Sequence, residues 1–115
     1  MESILYVSTE EITVSQLQDA VQRMGGKWDD EPTLRHGVLT NGDATLFLNS
    51  PKAPSVEYDD EEIGELAEQL GSRPRTVICI DIGHSTGSFE FAVEVGEKLV
   101  GYWRGIIDDN GIFDE

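Results

Sequence analysis

The chain has 115 residues, 38% of them hydrophobic, with two Trp, four Phe and three Tyr. That is enough for one domain, 1–115, with a packed core, and it argues against a disordered segment. Twenty-three acids against eight bases give a formal net charge of −15, which disfavours nucleic-acid and anionic-membrane partners, because both are held mainly by Lys and Arg.

In chain order, "SILYVS" (3–8) is short, apolar and partly β-branched, and reads as a first strand. "TVSQ" from Thr13 carries a capping box with Gln16 at its fourth place. Val14, Leu17, Val21 and Met24 follow at helical spacing up to Gly25-Gly26, so the pattern predicts a helix over 14–25. "KWDDEPT" reads as a polar connector. "LRHGVLT" and "ATLFLN" flank Asn41-Gly42-Asp43, and Asn-Gly is a strong hairpin signal because both residues tolerate positive φ. Strands are expected near 34–40 and 44–49.

"SPKAPSVEY" (50–58), with its two prolines, reads as a loop. "DDEEIGELAEQLG" predicts a helix capped by Asp59 with Glu62 three residues on, an apolar stripe of Ile63, Leu66, Ala67 and Leu70, and Gly71 as its stop. "RTVICIDI" (75–82) is a continuous apolar run suited to a central strand. Residues 88–104 divide on a helical wheel. Glu90, Glu94, Glu97, Lys98 and Arg104 gather on one arc, and Phe89, Ala92, Val93, Leu99, Val100 and Trp103 on the other, so a third helix is expected. "GIIDDNGIFDE" reads as a short strand or a hairpin turning at Asp109-Asn110-Gly111. The fold class is therefore α+β, a ferredoxin-like β-α-β-β-α-β order with an added C-terminal helix and a short terminal strand.

The charge is uneven. Residues 1–58 hold nine acids and four bases, and residues 59–115 hold fourteen acids and four bases. An acidic surface of this size serves solubility or is aimed at a basic partner. No apolar run approaches the roughly 20 residues of a membrane span. "MESILYVSTEE" places acids where a secretory signal needs bases. The single Cys79 has no partner for an internal disulfide, and a buried, unreactive thiol in a reducing cytoplasm is expected.

"GHSTG" (83–87) matches the G-x-S-x-G elbow of serine hydrolases and follows an apolar strand as an elbow should. A serine nucleophile needs a His base oriented by a carboxylate, yet no His follows Ser85. His84 is its neighbour, and His36 lies in the predicted hairpin. Asp81, Gly83 and Thr86 also fit the D-x-G-x-x-T phosphate loop that such ATPases as actin and the sugar kinases carry, a fold needing two such domains. The plainer reading is a strand-to-helix turn, with Gly83 and Gly87 supplying backbone freedom and Ser85, Thr86 or Ser88 capping the helix. His36, His84 and Cys79 lack metal-ligand spacing, and the acid runs lack the D-x-D-x-D-G pattern of a calcium loop. No cofactor, metal or catalytic residue is expected. Trp103 falls on the apolar arc of the last helix and reads as core. Trp28, beside Asp29, Asp30 and Glu31, reads either as an exposed anchor for a basic partner or as a ring packed over the hairpin.

The last third, "VICIDIGHSTGSFEFAVEVGEKLVGYWRGIIDDNGIFDE", resembles the C-terminal region of small bacterial immunity proteins. These accompany polymorphic toxins, including contact-dependent and type VI-secreted ones. A strand, a helix with F-A-x-x-x motifs and a tail of the form G-x-I-x-D-D-x-G-x-I carry the likeness. It implies a cytoplasmic, non-enzymatic protein that binds and neutralises one cognate basic toxin domain, and it transfers no functional residue. The acidic residues expected to meet such a partner are Asp60, Glu61, Glu65 and Glu68 on the second helix and Asp108, Asp109, Asp114 and Glu115 in the tail, with Trp28, Asp29 and Asp30 as a further contact. The competing readings are a small hydrolase using Ser85 and a ligand-binding regulatory module.

Overall fold

The computed structural model describes residues 2–30, 35–83 and 87–108. Its elements run β1 (Glu2–Ser8), α1 (Val14–Arg23), β2 (Lys27–Asp30), β3 (Arg35–Asn41), β4 (Ala44–Asn49), a 3-10 turn (Pro54–Val56), α2 (Asp60–Leu70), β5 (Thr76–Ile82), α3 (Ser88–Tyr102) and β6 (Gly105–Asp108). The class is mixed α+β: one six-stranded sheet in the order β2-β3-β4-β5-β1-β6, with every pairing antiparallel.

Local chemistry sets the helix ends. Thr13 caps α1 and Asp59 caps α2, each in a full capping box with Gln16 and Glu62. Gly71 ends α2 in the left-handed conformation at φ 76°, where a Cβ would be strained. The helix expected over 14–25 stops at Arg23, with Met24 as its C-cap. α3 differs in its start. Its N-cap is Gly87 at φ 85° with no side-chain cap, and Ser88 is already helical. Ser85 and Thr86, the other capping candidates, lie outside the described residues, as does His84.

Three expectations need correction. "KWDD" is not a connector but the edge strand β2, paired to β3 from Lys27↔Val38 to Asp30↔Arg35. The hairpin turn is centred on Gly42-Asp43, between paired Asn41 and Ala44. Only Gly42 has positive φ, at 64°, the mark of a II′ turn and not of an Asn-Gly I′ turn. The lateral strand order also departs from the ferredoxin-like one, in which the first strand lies beside the second strand of the hairpin. Here β5 takes that place, pairing β4 on one side (Leu48↔Ile80) and β1 on the other (Ile4↔Ile80). The near-continuous apolar run of β5 suits it, since both its edges are paired and its core face is buried, with Val77 also covered by α2 on the other face. β6 then closes on the far side of β1 through Leu5↔Asp108 and Val7↔Ile106.

The two faces of the sheet are covered unequally. α1 and α3 pack on one face, where Leu17, Val21, Ala92, Val95 and Leu99 meet Ile4, Tyr6, Leu39, Leu46, Leu48, Ile78, Ile80 and Ile82 in the main core. α2 packs on the other face, where Leu66 and Leu70 meet only Val7 and Val77, with Leu5, Tyr58 and Ile106 against them. Burying a Leu contributes on the order of 2 kcal/mol, so this smaller cluster is enough to dock α2 but not to cover the whole face. Tyr6 is fully buried, and its hydroxyl reaches the Leu99 carbonyl (3.2 Å) and the Trp103 carbonyl. That contact ties the C-terminal turn of α3 to the strand β6 pairs with.

Candidate functional site: an acidic groove between α2 and β6

α2 reads "DEEIGELAEQL", five acids with no base. Its apolar stripe faces the sheet, which turns the acids outward, and Asp60, Glu61, Glu65 and Glu68 are all exposed. Because β6 pairs outside β1, its end comes level with α2. The two enclose a groove of about 630 Å³ lined by Glu62, Glu65, Glu68, Leu66, Ile106 and Asp108, among others. Leu66 and Ile106 give it an apolar floor, and the carboxylates stand around it.

The groove is held in shape by defined contacts. The Tyr58 hydroxyl donates to Asp108 Oδ2 at 2.6 Å. Burial and then the Asp108 carboxylate push the Tyr58 phenol well above its ordinary pKa, so Tyr58 stays a neutral donor. Arg104 Nη2 donates to the Leu70 carbonyl at 2.8 Å, joining the C-terminus of α2 to the segment that enters β6 and complementing the helix dipole. Arg104 N–H also donates to Glu10 Oε2 at 2.7 Å. Within the groove, Glu62 Oε1 accepts from the Asp59 N–H at 3.0 Å. Among the described residues no Lys or Arg lines the groove; Arg23 pairs with Asp19 and Lys52 with Glu57, both away from it.

The sequence-predicted contact residues divide into two sets. Glu65, Glu68 and Asp108 come together in the groove. Asp60 and Glu61 lie in the first turn of α2, outside its lining. Glu62, Tyr58 and the floor residues were missed. In the sequence Glu62 reads as a capping partner within an acid run, and Tyr58 sits in a loop with no periodicity to signal a role. Trp28, Asp29 and Asp30 are on β2, at the opposite edge of the sheet. Trp28 is partly buried against the main core, so its ring packs inward, while Asp29 and Asp30 are exposed. Asp109, Asp114 and Glu115 lie outside the described residues, as does Glu31.

A second polar cluster lies on the part of the sheet that α2 leaves uncovered. Asn49 Nδ2 donates to Asp81 Oδ2 (3.0 Å) and to the Cys79 carbonyl (3.2 Å), and Cys79 Sγ lies 3.5 Å from Asp81 Oδ1. His36 sits across from Asn49 in the register, packs edge-on against Phe47 and lies 3.9 Å from Asp29. A Cys, a His and carboxylates on one face invite a hydrolase reading, but the chemistry opposes it. Burial, followed by the Asp81 charge, pushes the Cys79 thiol up to about 11, whereas a nucleophilic thiol needs a lowered pKa. Asn49, not His36, is the residue beside it. Cys79 is half-buried, not fully buried as expected.

Among the described residues no group of three or more His, Cys, Asp or Glu is placed to hold a metal ion, and no helix is long and apolar enough to cross a membrane. No protein-family model, curated protein or solved structure matches this chain.

Proposed function

We propose that the chain is a non-enzymatic binding protein that takes a basic protein partner at the α2–β6 groove, in the manner of an immunity protein that neutralises a cognate toxin domain. The observation that carries this reading is the convergence of Glu62, Glu65, Glu68 and Asp108 around an apolar floor, with no Lys or Arg in the lining among the described residues. An exposed carboxylate surrounded by others has an unfavourable Coulomb term that a cationic partner removes. An apolar floor supplies the desolvated centre that binding energy depends on. The formal charge of −15 would steer a basic domain into contact and sharpen specificity more than it adds affinity. The likeness of residues 77–115 to immunity proteins agrees with this role, which would be exercised in the cytoplasm, where the toxin acts.

The test is co-expression with the product of the adjoining reading frame, using a variant with Glu61, Glu65 and Glu68 each changed to Lys. The native chain should restore growth and form a complex whose association rate falls with salt. The variant should lose both. Equal protection by the variant, or no complex with the native chain, would overturn the reading.

A further inference from the structure

We infer that the occupant of the groove is an extended basic segment of the partner, bound as a seventh strand along the outer edge of β6; this rests on the binding role proposed above and specifies its form. In an antiparallel pair, opposed residues alternate between those that exchange N–H···O bonds and those that do not. Thr9 N–H donates to the Arg104 carbonyl at 3.2 Å, in register with Ser8↔Gly105. The bonded pairs that follow are Val7–Ile106 and Leu5–Asp108. The N–H and C=O groups of Gly105 and Ile107 therefore point away from β1, to the outer edge of the sheet.

Such an edge is a template for another strand, and sheets usually blunt it with a charge, a bulge or a covering element. On β6 the only charge is Asp108, at its last position. α2 stands above the edge with its carboxylates, so an incoming strand would place every second side chain beneath Glu62, Glu65 and Glu68. The intervening side chains would face α3. There Gly96 meets Ile107, and Val100, one turn further along, is 42% exposed. The matching segment alternates Lys or Arg with apolar residues.

Charge selects among the occupants. A second copy would bring two acid-lined edges together and oppose like charges. The chain's own residues 109–115, "DNGIFDE", carry three acids and no base, so they match the groove no better. A basic partner segment is the complementary choice.

The probe is a short peptide alternating Lys and Val, compared with the same peptide N-methylated at alternate residues. Methylation keeps the charge and removes the backbone donors. The Gly105 and Ile107 amides should become protected from hydrogen exchange on adding the first peptide, and the methylated one should bind about ten-fold weaker. Ile107→Pro should also weaken binding. Proline is tolerated where a strand's N–H faces outward, and the exchange measurement on the native chain stands if that variant fails to fold. Equal binding of both peptides with unchanged exchange at Gly105 and Ile107 would overturn strand addition. If Glu62→Lys and Glu65→Lys still abolished binding in that case, the acidic-groove reading would survive it. Indifference to those reversals would sink both. Protection that rises with protein concentration and no peptide would instead identify a second copy as the occupant.

Discussion

The sheet ends in two strands of four residues each, β2 and β6, and both borders carry acids. Beside β6 stands α2, which gathers Glu62, Glu65, Glu68 and Asp108 over Leu66 and Ile106. At β2, Asp29 and Asp30 follow Lys27 and an inward-packed Trp28, and the helix beside the strand is α1, on the core face. The difference shows that the fold, and not the net charge, decides where acids are gathered. On the proposed binding role, acids become a site where a second element concentrates them around an apolar floor; at β2, where Asp29 lies 3.9 Å from His36, the neighbouring helix α1 adds no comparable run of acids.

The largest effect should come from breaking the β6 border at its first residue. A Cβ on Gly105 would lie 2.3 Å from the Val7 carbonyl oxygen and 2.9 Å from the Tyr6 ring, and backbone cannot give way as a flexible side chain can. Gly105→Ala should cost about 3 kcal/mol in urea denaturation and abolish partner binding. The corresponding break at the other border is Gly37→Ala, whose Cβ would lie 2.6 Å from Val21 Cγ2. A loss of about 1–3 kcal/mol is expected, with binding per folded molecule unchanged. If binding fell in parallel, the two borders would not be independent.

Tyr6→Phe probes the anchor beneath β6. Losing the hydroxyl that reaches the Leu99 and Trp103 carbonyls should cost about 1–2 kcal/mol. It should also change the alkaline limb of the stability profile. Burial pushes Tyr6 from 10.0 to about 12 and Cys79 from 9.0 to about 11. The folded state thus holds these protons more tightly than the unfolded chain, so the stabilisation is complete below about pH 9 and is lost as the pH rises toward 12. The Phe variant should keep the Cys79 part of that loss and drop the Tyr6 part. The smallest effect is expected for Asp29→Asn with Asp30→Asn, within about 0.5 kcal/mol in stability and with unchanged association. An association rate that falls as far as in the Glu65 and Glu68 reversals would move the contact to β2.

The fold was legible in the sequence wherever a local device set it. Thr13 with Gln16, Asp59 with Glu62, and Gly71 announced the helices, because each satisfies backbone groups within a few residues of itself. β2 escaped because an exposed edge strand of Lys, Trp and two Asp shows no alternation. What holds it is the close approach at Gly26 and Gly37, where a Cβ would meet Leu39, Val38 or Val21. The exchange of β1 and β5 in the sheet was illegible for a different reason. Both are apolar strands, and nothing local to either states which neighbour it takes. The site followed the same rule. The acids of α2 were plain in the sequence, but their meeting with Asp108, forty residues or more further on, depends on β6 pairing outside β1.

The central place of β1 has a consequence for how the molecule comes to be folded. Its partners in β5 lie between 68 (76 − 8) and 80 (82 − 2) residues downstream, and the Leu5–Asp108 pair spans 103 (108 − 5). β2, β3 and β4 form a meander of neighbours and can pair early. The first segment of the chain must wait for the last before it has two edges to join, and closing loops of that length slows folding. The order of assembly is then local meander first and β1 last. In refolding, amides of β3 and β4 should gain protection before those of β1.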